Sequence, residues 1–587
     1  MDRPFMNIEA WLTWMGECMR VPWPSPSTEL GITDILLKNG AGLLIFAVLL
    51  NHILVTIRYY WAHCNEVDGQ IPPTYPSAIP LFGNLISFVW NNAEFCRRVT
   101  SYRGRFTSVR LSFFGMRIYL FQDRETIKRI WKAPSLSSPM SIQIYTHRYF
   151  FGTPERTLAT YIADNSGPHE KPYPGSNVPP KNRIDHITHR GYLRALTGPG
   201  LSPTIRRFMD GLQTRVGQLA FAGEWQDLED FRSFFQNLMG GALLESLFGP
   251  ELIRLNPNIV GDLLEFDANI PWLARGIPSF IKPAPYRLRS RLWSQFKRWK
   301  NYARKEFHES RISEDGDGDP FWGSGMNRWR HEILPQVGYH DDNALAAADL
   351  GLAFGLLTNI NPSTMLGVWH IFRDPDLLKR IRNELQENFG QQSIQGIDPK
   401  QLTRLPLLSS VYAETLRLYI NTFIMVNSPQ KDVLLGKWRL PKEHFGLLNS
   451  YLSHRDAEFW NTKDGLYPVD AFWADRFLTD PSDPTSGPVN PALNEAQRRA
   501  ENAKDEKPFF SMDGLETSWF PYGGGYSICP GRYLAKTAML FTCALLASEF
   551  DVDCLTDRIE LDNWRFGLGA QVPKNPLPFR IKRRTQA

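Results

Sequence analysis

The sequence predicts a mainly α-helical protein with a smaller β portion, preceded by one membrane-spanning helix. Three observations lead there. Apolar residues recur at helical spacing through most of the chain. Strand-like runs are few and short. No Gly-x-Gly-x-x-Gly turn after a strand and no phosphate-binding Gly-Lys-Ser/Thr loop marks a nucleotide-binding α/β unit.

Composition narrows the class. Of 587 residues, 43% are hydrophobic and 22% charged, enough apolar material for a large core. Length alone suggests three or four domains. The net charge of +5 is mild and its basic residues are scattered, so no nucleic-acid partner is expected. Six cysteines (18, 64, 96, 529, 543 and 554) lie far apart without a Cys-x-x-Cys pair. That argues against a zinc ribbon and a disulfide framework, and for a reducing compartment.

The elements follow in order. Residues 1–39 read as an interfacial segment on the far side of the membrane. Residues 40–57, GAGLLIFAVLLNHILVTI, form an apolar run long enough for a transmembrane helix. Arg58-Tyr59-Tyr60-Trp61 closes the run with aromatics suited to a membrane interface. The flanking basic residues Arg20, Lys38 and Arg58 do not place the body on the cytosolic side by charge alone. Residues 58–84 carry four prolines between Pro72 and Pro80 and read as a stiff connector. From 85 to 587 the chain reads as the catalytic body. Helices are predicted over 206–221, 227–248, 286–311, 342–373, 376–388 and 405–418, and strands over 105–122, 433–440 and 579–584. Residues 160–185, 312–328 and 479–508 read as polar loops.

One stretch carries chemistry. In WFPYGGGYSICPGRYLAK, three glycines precede Cys529, Pro530 suits the first turn of a helix, and an apolar helical period follows. Cys529 therefore sits at a helix N-terminus, where the dipole and free amides stabilise a thiolate. The glycines allow positive φ or close approach to something flat.

This stretch resembles the haem-binding loop of the cytochrome P450 superfamily: Tyr522, Gly525, Cys529 and Gly531 match its spacing. The resemblance implies one large haem domain, haem b held by a thiolate from Cys529, and oxygen chemistry favoured by that thiolate. It is also similar to the family in AETLRL, whose Glu414 and Arg417 stand three apart on one helix face, and in FWADRF, which adds Arg476. Glu-x-x-Arg alone recurs elsewhere, as at Glu94/Arg97, so context identifies this one. The implied role of the three is a structural charge network. His454-Arg455-Asp456 and the C-terminal stretch from Leu568 to Val572 also resemble family segments.

Two departures stand out. Where the family has an acid and an alcohol on its oxygen-side helix, Asn359 and Ile360 stand, followed by Asn361, Pro362, Ser363 and Thr364. Pro362 is expected to kink that helix, and Asn359, Ser363 and Thr364 are the expected proton relay. Such an Asn-x-x-Pro helix is similar to the sterol 7-hydroxylase and prostacyclin synthase branch. Second, Ser527 and Asn427 replace basic residues that meet the haem propionates; Arg190 and Arg194 are the expected substitutes.

The resemblance implies a membrane-anchored monooxygenase of fungal secondary metabolism acting on a terpenoid, sterol or polyketide-like molecule. Its implied partners are NADPH-cytochrome P450 reductase, docking near Arg532 and Lys536, and cytochrome b5. The implied location is the endoplasmic reticulum, single-pass, with a cytosolic body. The alternative is a haem–thiolate isomerase or dehydratase that needs no oxygen activation; a non-enzymatic haem sensor is the third reading. Phe354, Leu356, Leu357, Ile420, Phe423 and Leu568 are the expected pocket residues.

Overall fold

In the computed structural model, residues 30–65, 67–77, 83–113, 116–221, 223–390, 394–493 and 507–584 are described. Most of the expected interfacial segment therefore lies outside the described residues. The helices that matter here are α1 (Leu30–Cys64), α2 (Arg124–Lys132), α3 (Ile184–Leu196), α4 (Leu201–Gly217), α5 (Phe231–Phe248), α6 (Ile259–Ala274), α7 (Pro283–Glu306), α8 (Asp342–Leu357), α9 (Ile360–Arg373), α10 (Pro406–Tyr419) and α11 (Arg532–Glu549). The strands are β1 (Val109–Phe113), β2 (Met116–Leu120), β3 (Gln226–Leu228), β4 (Ile420–Asn427), β5 (Phe445–Asn449), β6 (Phe550–Cys554), β7 (Leu568–Ala570) and β8 (Phe579–Arg583).

The core is a helical pack around α9 and α11. α9 lies against α11, α10 and α5, and from Leu534 to Ala547 nearly every residue of α11 is buried. A helix apolar on every face belongs inside. Trp369 of α9 is fully buried and meets Phe231 of α5 edge-on at 5.4 Å. The single run expected over 342–373 is two helices. The break falls at Thr358–Asn359, ahead of Pro362, because a proline at that position cannot donate to the carbonyl four residues earlier.

The β portion stands to one side. A mixed sheet runs in the order β7-β4-β5-β2-β1, with β2 and β5 parallel and the other neighbours antiparallel. β4 continues directly from α10, so the helix carrying Glu414 feeds the sheet that reaches β7. A second sheet, β6-β8-β3, closes the C-terminus onto the residues just before α5.

The apolar N-terminal run differs from its expected bounds. α1 continues through Arg58–Cys64, and its stretch Gly42–Cys64 is long and apolar enough to cross a membrane, with only 6% of its apolar window buried. Asp342–Arg373 passes the same test but is 61% buried, the mark of a core segment. The expected connector from residue 58 begins as helix because nothing breaks it before Asp68-Gly69. Only part of it is packed: Tyr59 is buried and meets Tyr75 at 5.6 Å, and His63 stacks on Tyr102 at 4.6 Å, while Tyr60 and Trp61 stay exposed. The proline strap is pinned too, with Gly69 N–H donating to Gly436 O and Arg110 N–H to Pro73 O.

Trp369→Ala, which would leave a cavity between α9 and α5, is expected to cost about 3–5 kcal/mol in a chemical denaturation series.

Candidate active site

The site begins with a buried charge. Glu414 of α10 is fully buried and grips Arg417 through two contacts, Oε2 to Nε at 2.7 Å and Oε1 to Nη2 at 2.9 Å. Arg476 Nε donates to both carboxylate oxygens at 3.1 Å, and Trp473 N–H donates to Oε1. Burial alone would raise the Glu414 pKa, but the two guanidiniums hold it below the ordinary carboxylate range. The three residues expected as a network are thus brought together.

The network reaches the cysteine through His454, a link the sequence reading did not assign. Arg417 Nη1 donates to the His454 carbonyl at 2.6 Å, while His454 Nε2 accepts the Phe520 N–H at 3.1 Å. An acceptor nitrogen requires a neutral ring. Burial, with Arg417 and Arg455 nearby, pushes the His454 pKa well below its usual value. Phe520 opens the loop that delivers Cys529.

The loop answers why three glycines are needed. Gly523 and Gly525 have φ of +73° and +61°, where side chains are strained. A Cβ on Gly524 would lie 2.5 Å from the Trp131 indole of α2, and one on Gly525 would lie 2.6 Å from the Trp131 carbonyl. The indole is fixed by Nε1 donating to Glu516 O at 3.0 Å. Cys529 N–H then closes the loop onto Tyr522 O at 2.9 Å, and the Tyr522 hydroxyl pairs with that of Tyr412 at 2.9 Å. Arg532 caps the turn, donating to the Cys529 carbonyl at 3.0 Å.

Cys529 is exposed, and it lines a cavity of about 400 Å³. Desolvation by the surrounding protein raises its pKa, and the backbone N–H groups of Gly531 and Arg532, with the Arg532 charge, oppose that rise. A cationic metal at the sulfur would complete the shift to thiolate. The walls are mainly apolar, including Leu356, Leu416, Ile420, Phe423 and Met539. Gly355 leaves its part of the wall without a side chain, with nothing within 4 Å of an added Cβ. A soft thiol ligand at a helix N-terminus, facing an apolar cavity with bare glycines, fits a flat, apolar metal macrocycle.

Across the cavity, Asn359 stands in the break between α8 and α9. Its Oδ1 accepts from Ala570 N–H of β7 at 2.9 Å, which leaves Nδ2 as its uncommitted donor among the described residues. Ile360 also lines the cavity.

Other expected site residues lie elsewhere. Ser363 and Thr364 are fully buried and do not line the cavity; the Thr364 hydroxyl donates to its own helix at Ile360 O, 2.6 Å away. Arg190 and Arg194 are exposed on α3 and do not line it either, whereas Tyr192 and Leu196 do. Of the expected pocket residues, Leu356, Ile420 and Phe423 line the cavity; Phe354, Leu357 and Leu568 do not, Leu357 belonging to the main apolar core and the other two packing against that core. Lys536 is tucked over the Tyr412 and Phe510 rings instead of standing free, and burial lowers its pKa.

A model of the cytochrome P450 family matches residues 277–582. The chain belongs to the cytochrome P450 family. This P450 is 30% identical to the cytochrome P450 monooxygenase fsoE of Humicola fuscoatra, over 95% of this chain and 98% of the relative. It is 29% identical to the cytochrome P450 monooxygenase efuG of Hormonema carpetanum, over 96% and 98%. It is 24% identical to cytochrome P450 7A1 of Oryctolagus cuniculus, over 68% and 75%. The family establishes a haem–thiolate cofactor and a monooxygenase, an enzyme that draws electrons from a redox partner and acts on lipophilic molecules.

Two outcomes test this architecture. Gly524→Ala should displace the loop from Trp131 and lower the haem-to-protein ratio of the purified P450, without unfolding it by circular dichroism. Glu414→Gln leaves two buried guanidiniums unpaired and should destabilise the fold by about 3–5 kcal/mol. The folded-state pKa of Glu414 is depressed, so its stabilisation is present above the ordinary carboxylate pKa and is lost as pH falls through the folded value. An acid titration of thermal stability should show that loss in the parent protein and not in Glu414→Gln.

Proposed function

We propose that the chain is a membrane-anchored P450 monooxygenase with Cys529 as the haem thiolate. It inserts one oxygen atom into a lipophilic terpenoid, sterol or polyketide-like molecule of fungal secondary metabolism. The observation that carries the reading is the Cys529 thiol, presented at the N-terminus of α11 to an apolar cavity. Overall, the substrate C–H becomes C–OH, the second oxygen atom of O2 leaves as water, and NADPH supplies the two electrons through its reductase. Haem, when bound, supplies the oxygen activation that a thiolate ligand favours.

The chain's own residues do the rest. Gly531 and Arg532 hold charge on the sulfur through their amides. Leu356, Ile420 and Phe423 desolvate and orient an apolar substrate. Asn359 Nδ2 holds a water at the cavity wall and offers it a hydrogen bond, with its amide oriented by the Ala570 N–H. An amide neither gains nor loses a proton readily, so the proton moves through that water.

The fungal relatives are named monooxygenases, which favours oxygen insertion over rearrangement. The exposed apolar face of α1 supports a single-pass anchor over about residues 42–57, followed by a strap to residue 84 and the catalytic domain to 587. Endoplasmic reticulum residence with a cytosolic body accords with the scattered cysteines, of which Cys64, Cys96, Cys529, Cys543 and Cys554 are free among the described residues. NADPH-cytochrome P450 reductase is the electron donor we expect at the face bearing Arg532, with cytochrome b5 as a second donor.

The deciding experiment is the reduced, carbon monoxide-bound difference spectrum of membranes carrying the protein. The red-shifted Soret band of thiolate-ligated haem is expected, and Cys529→Ala should abolish it. A variant that keeps the band would remove Cys529 from the role. Once a substrate is in hand, Asn359→Ala should raise the NADPH consumed per product formed. Unchanged coupling would take Asn359 out of proton delivery.

A further inference from the structure

The Cys529 cavity has a polar neighbour. A second cavity, of about 150 Å³, lies between α3, α8, the helix Gly325–Ile333 and residues 143–151. The two cavities share two wall residues, Tyr192 of α3 and Gly351 of α8. Gly351, Gly355 and Asn359 stand four residues apart and all line the Cys529 cavity. Neither glycine puts a side chain in the way, so the path from the second cavity to Asn359 runs along α8 for eight residues, about 12 Å.

The second cavity is lined by polar groups that lack partners. Arg330 is buried, and its Nη1 donates to Asp349 Oδ1 at 3.0 Å and reaches Asn327 Oδ1 at 3.4 Å. Its Nε and Nη2 have no partner among the described residues. Burial alone would raise the Asp349 pKa, but His331 and Arg330 hold it below the ordinary carboxylate range, so Asp349 stays ionised and balances the Arg330 charge. His147 Nδ1 pairs with Thr153 Oγ1 at 2.7 Å, while Nε2 has no partner among the described residues. Burial, with His340 and Arg330 nearby, pushes the His147 pKa down to about 4, so the ring is neutral. The Tyr192 hydroxyl is likewise unpartnered among the described residues, and burial raises its pKa, so it keeps its proton.

This donor set selects its ligand. Arg330 and Asp349 cancel in charge, and the other two groups are neutral. A carboxylate would compete with Asp349 for Arg330 and be repelled by it. A neutral hydroxyl meets no such opposition, accepts from Arg330 or Tyr192, and pairs with either tautomer of His147. The space exceeds that of a single water, and beyond Tyr192 and Gly351 the walls turn apolar. One molecule with a hydroxyl at one end of a rigid apolar skeleton fits both cavities at once.

We propose that the second cavity is a subsite for a neutral hydroxyl of the substrate, held by Arg330, Tyr192 and His147, and that oxidation falls at the remote end of the skeleton, near Asn359. The inference rests on the monooxygenase reading. The test uses the haem-loaded full chain and polycyclic probes that differ only by one hydroxyl: cholestanol against cholestane, androstanol against androstane, hopanol against hopane. Binding is read from the Soret shift on titration, with the carbon monoxide band recorded alongside. At least one alcohol should bind about tenfold tighter than its hydrocarbon, the value of one hydrogen bond. Arg330→Met strands Asp349, so it is made together with Asp349→Leu, and the double variant should abolish the preference. Tyr192→Phe removes only a hydroxyl, should weaken the preference, and stands in if the double variant does not fold. Arg190→Ala, on the exposed side of α3, should keep it. A panel in which no alcohol binds tighter than its hydrocarbon, or a preference that survives these cavity variants, would overturn the subsite. A parent protein without the thiolate band would overturn the haem–thiolate reading, and this inference would fall with it.

Discussion

A carboxylate with no exposure to water is the constraint on which this fold turns. Glu414 can be ionised in the core only because Arg417 and Arg476 both hold it, and neither guanidinium could stay buried without it. The arrangement gains little over an apolar core of the same volume, since desolvating three charges consumes most of the attraction. What it supplies is position. Arg417 and Arg476 spend their remaining donors on carbonyls of the segment 454–471, including those of His454, Asn461 and Val469. A stretch without long helices is thereby fixed against α10, and the His454 ring is set to receive the amide that starts the cysteine loop.

The cavity divides its labour between two walls. The cysteine wall is built for charge, with amides and Arg532 around the sulfur and a tyrosine pair behind it. The opposite wall is apolar except at the break between α8 and α9. There the missing helical hydrogen bond at Pro362 and the bond from Asn359 to β7 serve each other: the break frees the Asn359 side chain, and strand backbone takes it up. A positive φ of +120° at Gly569 lets β7 come close enough, because a Cβ there would run into the Asn359 amide. Sheet and oxygen-side helix are joined at this point across the mouth of the site.

Much of this was legible in the sequence. The glycine loop, Pro530 and the apolar period after it placed Cys529 at a helix start, and the resemblance of the segments around Glu414, Arg417 and Arg476 to the family, not their spacing alone, marked the network. What escaped was whatever depends on which side of an element faces inward. Ser363 and Thr364 are polar residues after a proline, a pattern shared by a relay and by a buried helix start. Only packing of α9 against α5 and α11 shows that they are sealed away. Arg190 and Arg194 were chosen by charge, although both are exposed on α3 while Tyr192 and Leu196 of the same helix line the cavity. β4 was missed because INTFIMVN lacks the alternation of a half-exposed strand; it is part-buried on both faces. The end of α1 was set too early because hydropathy ends at Ile57 while the helix runs on, with Tyr59 buried against the sheet and Tyr60 and Trp61 left exposed.

The packing of Trp131 on Gly524 and Gly525 leaves the cysteine loop with no slack on that side. The indole and the glycines therefore behave as one unit under mutation. A smaller residue at 131 opens room in which a side chain at 524 becomes tolerable, while either change alone meets a gap or a clash. Among proteins that share this loop, positions 131 and 524 should covary, although 393 residues of chain separate them (524 − 131).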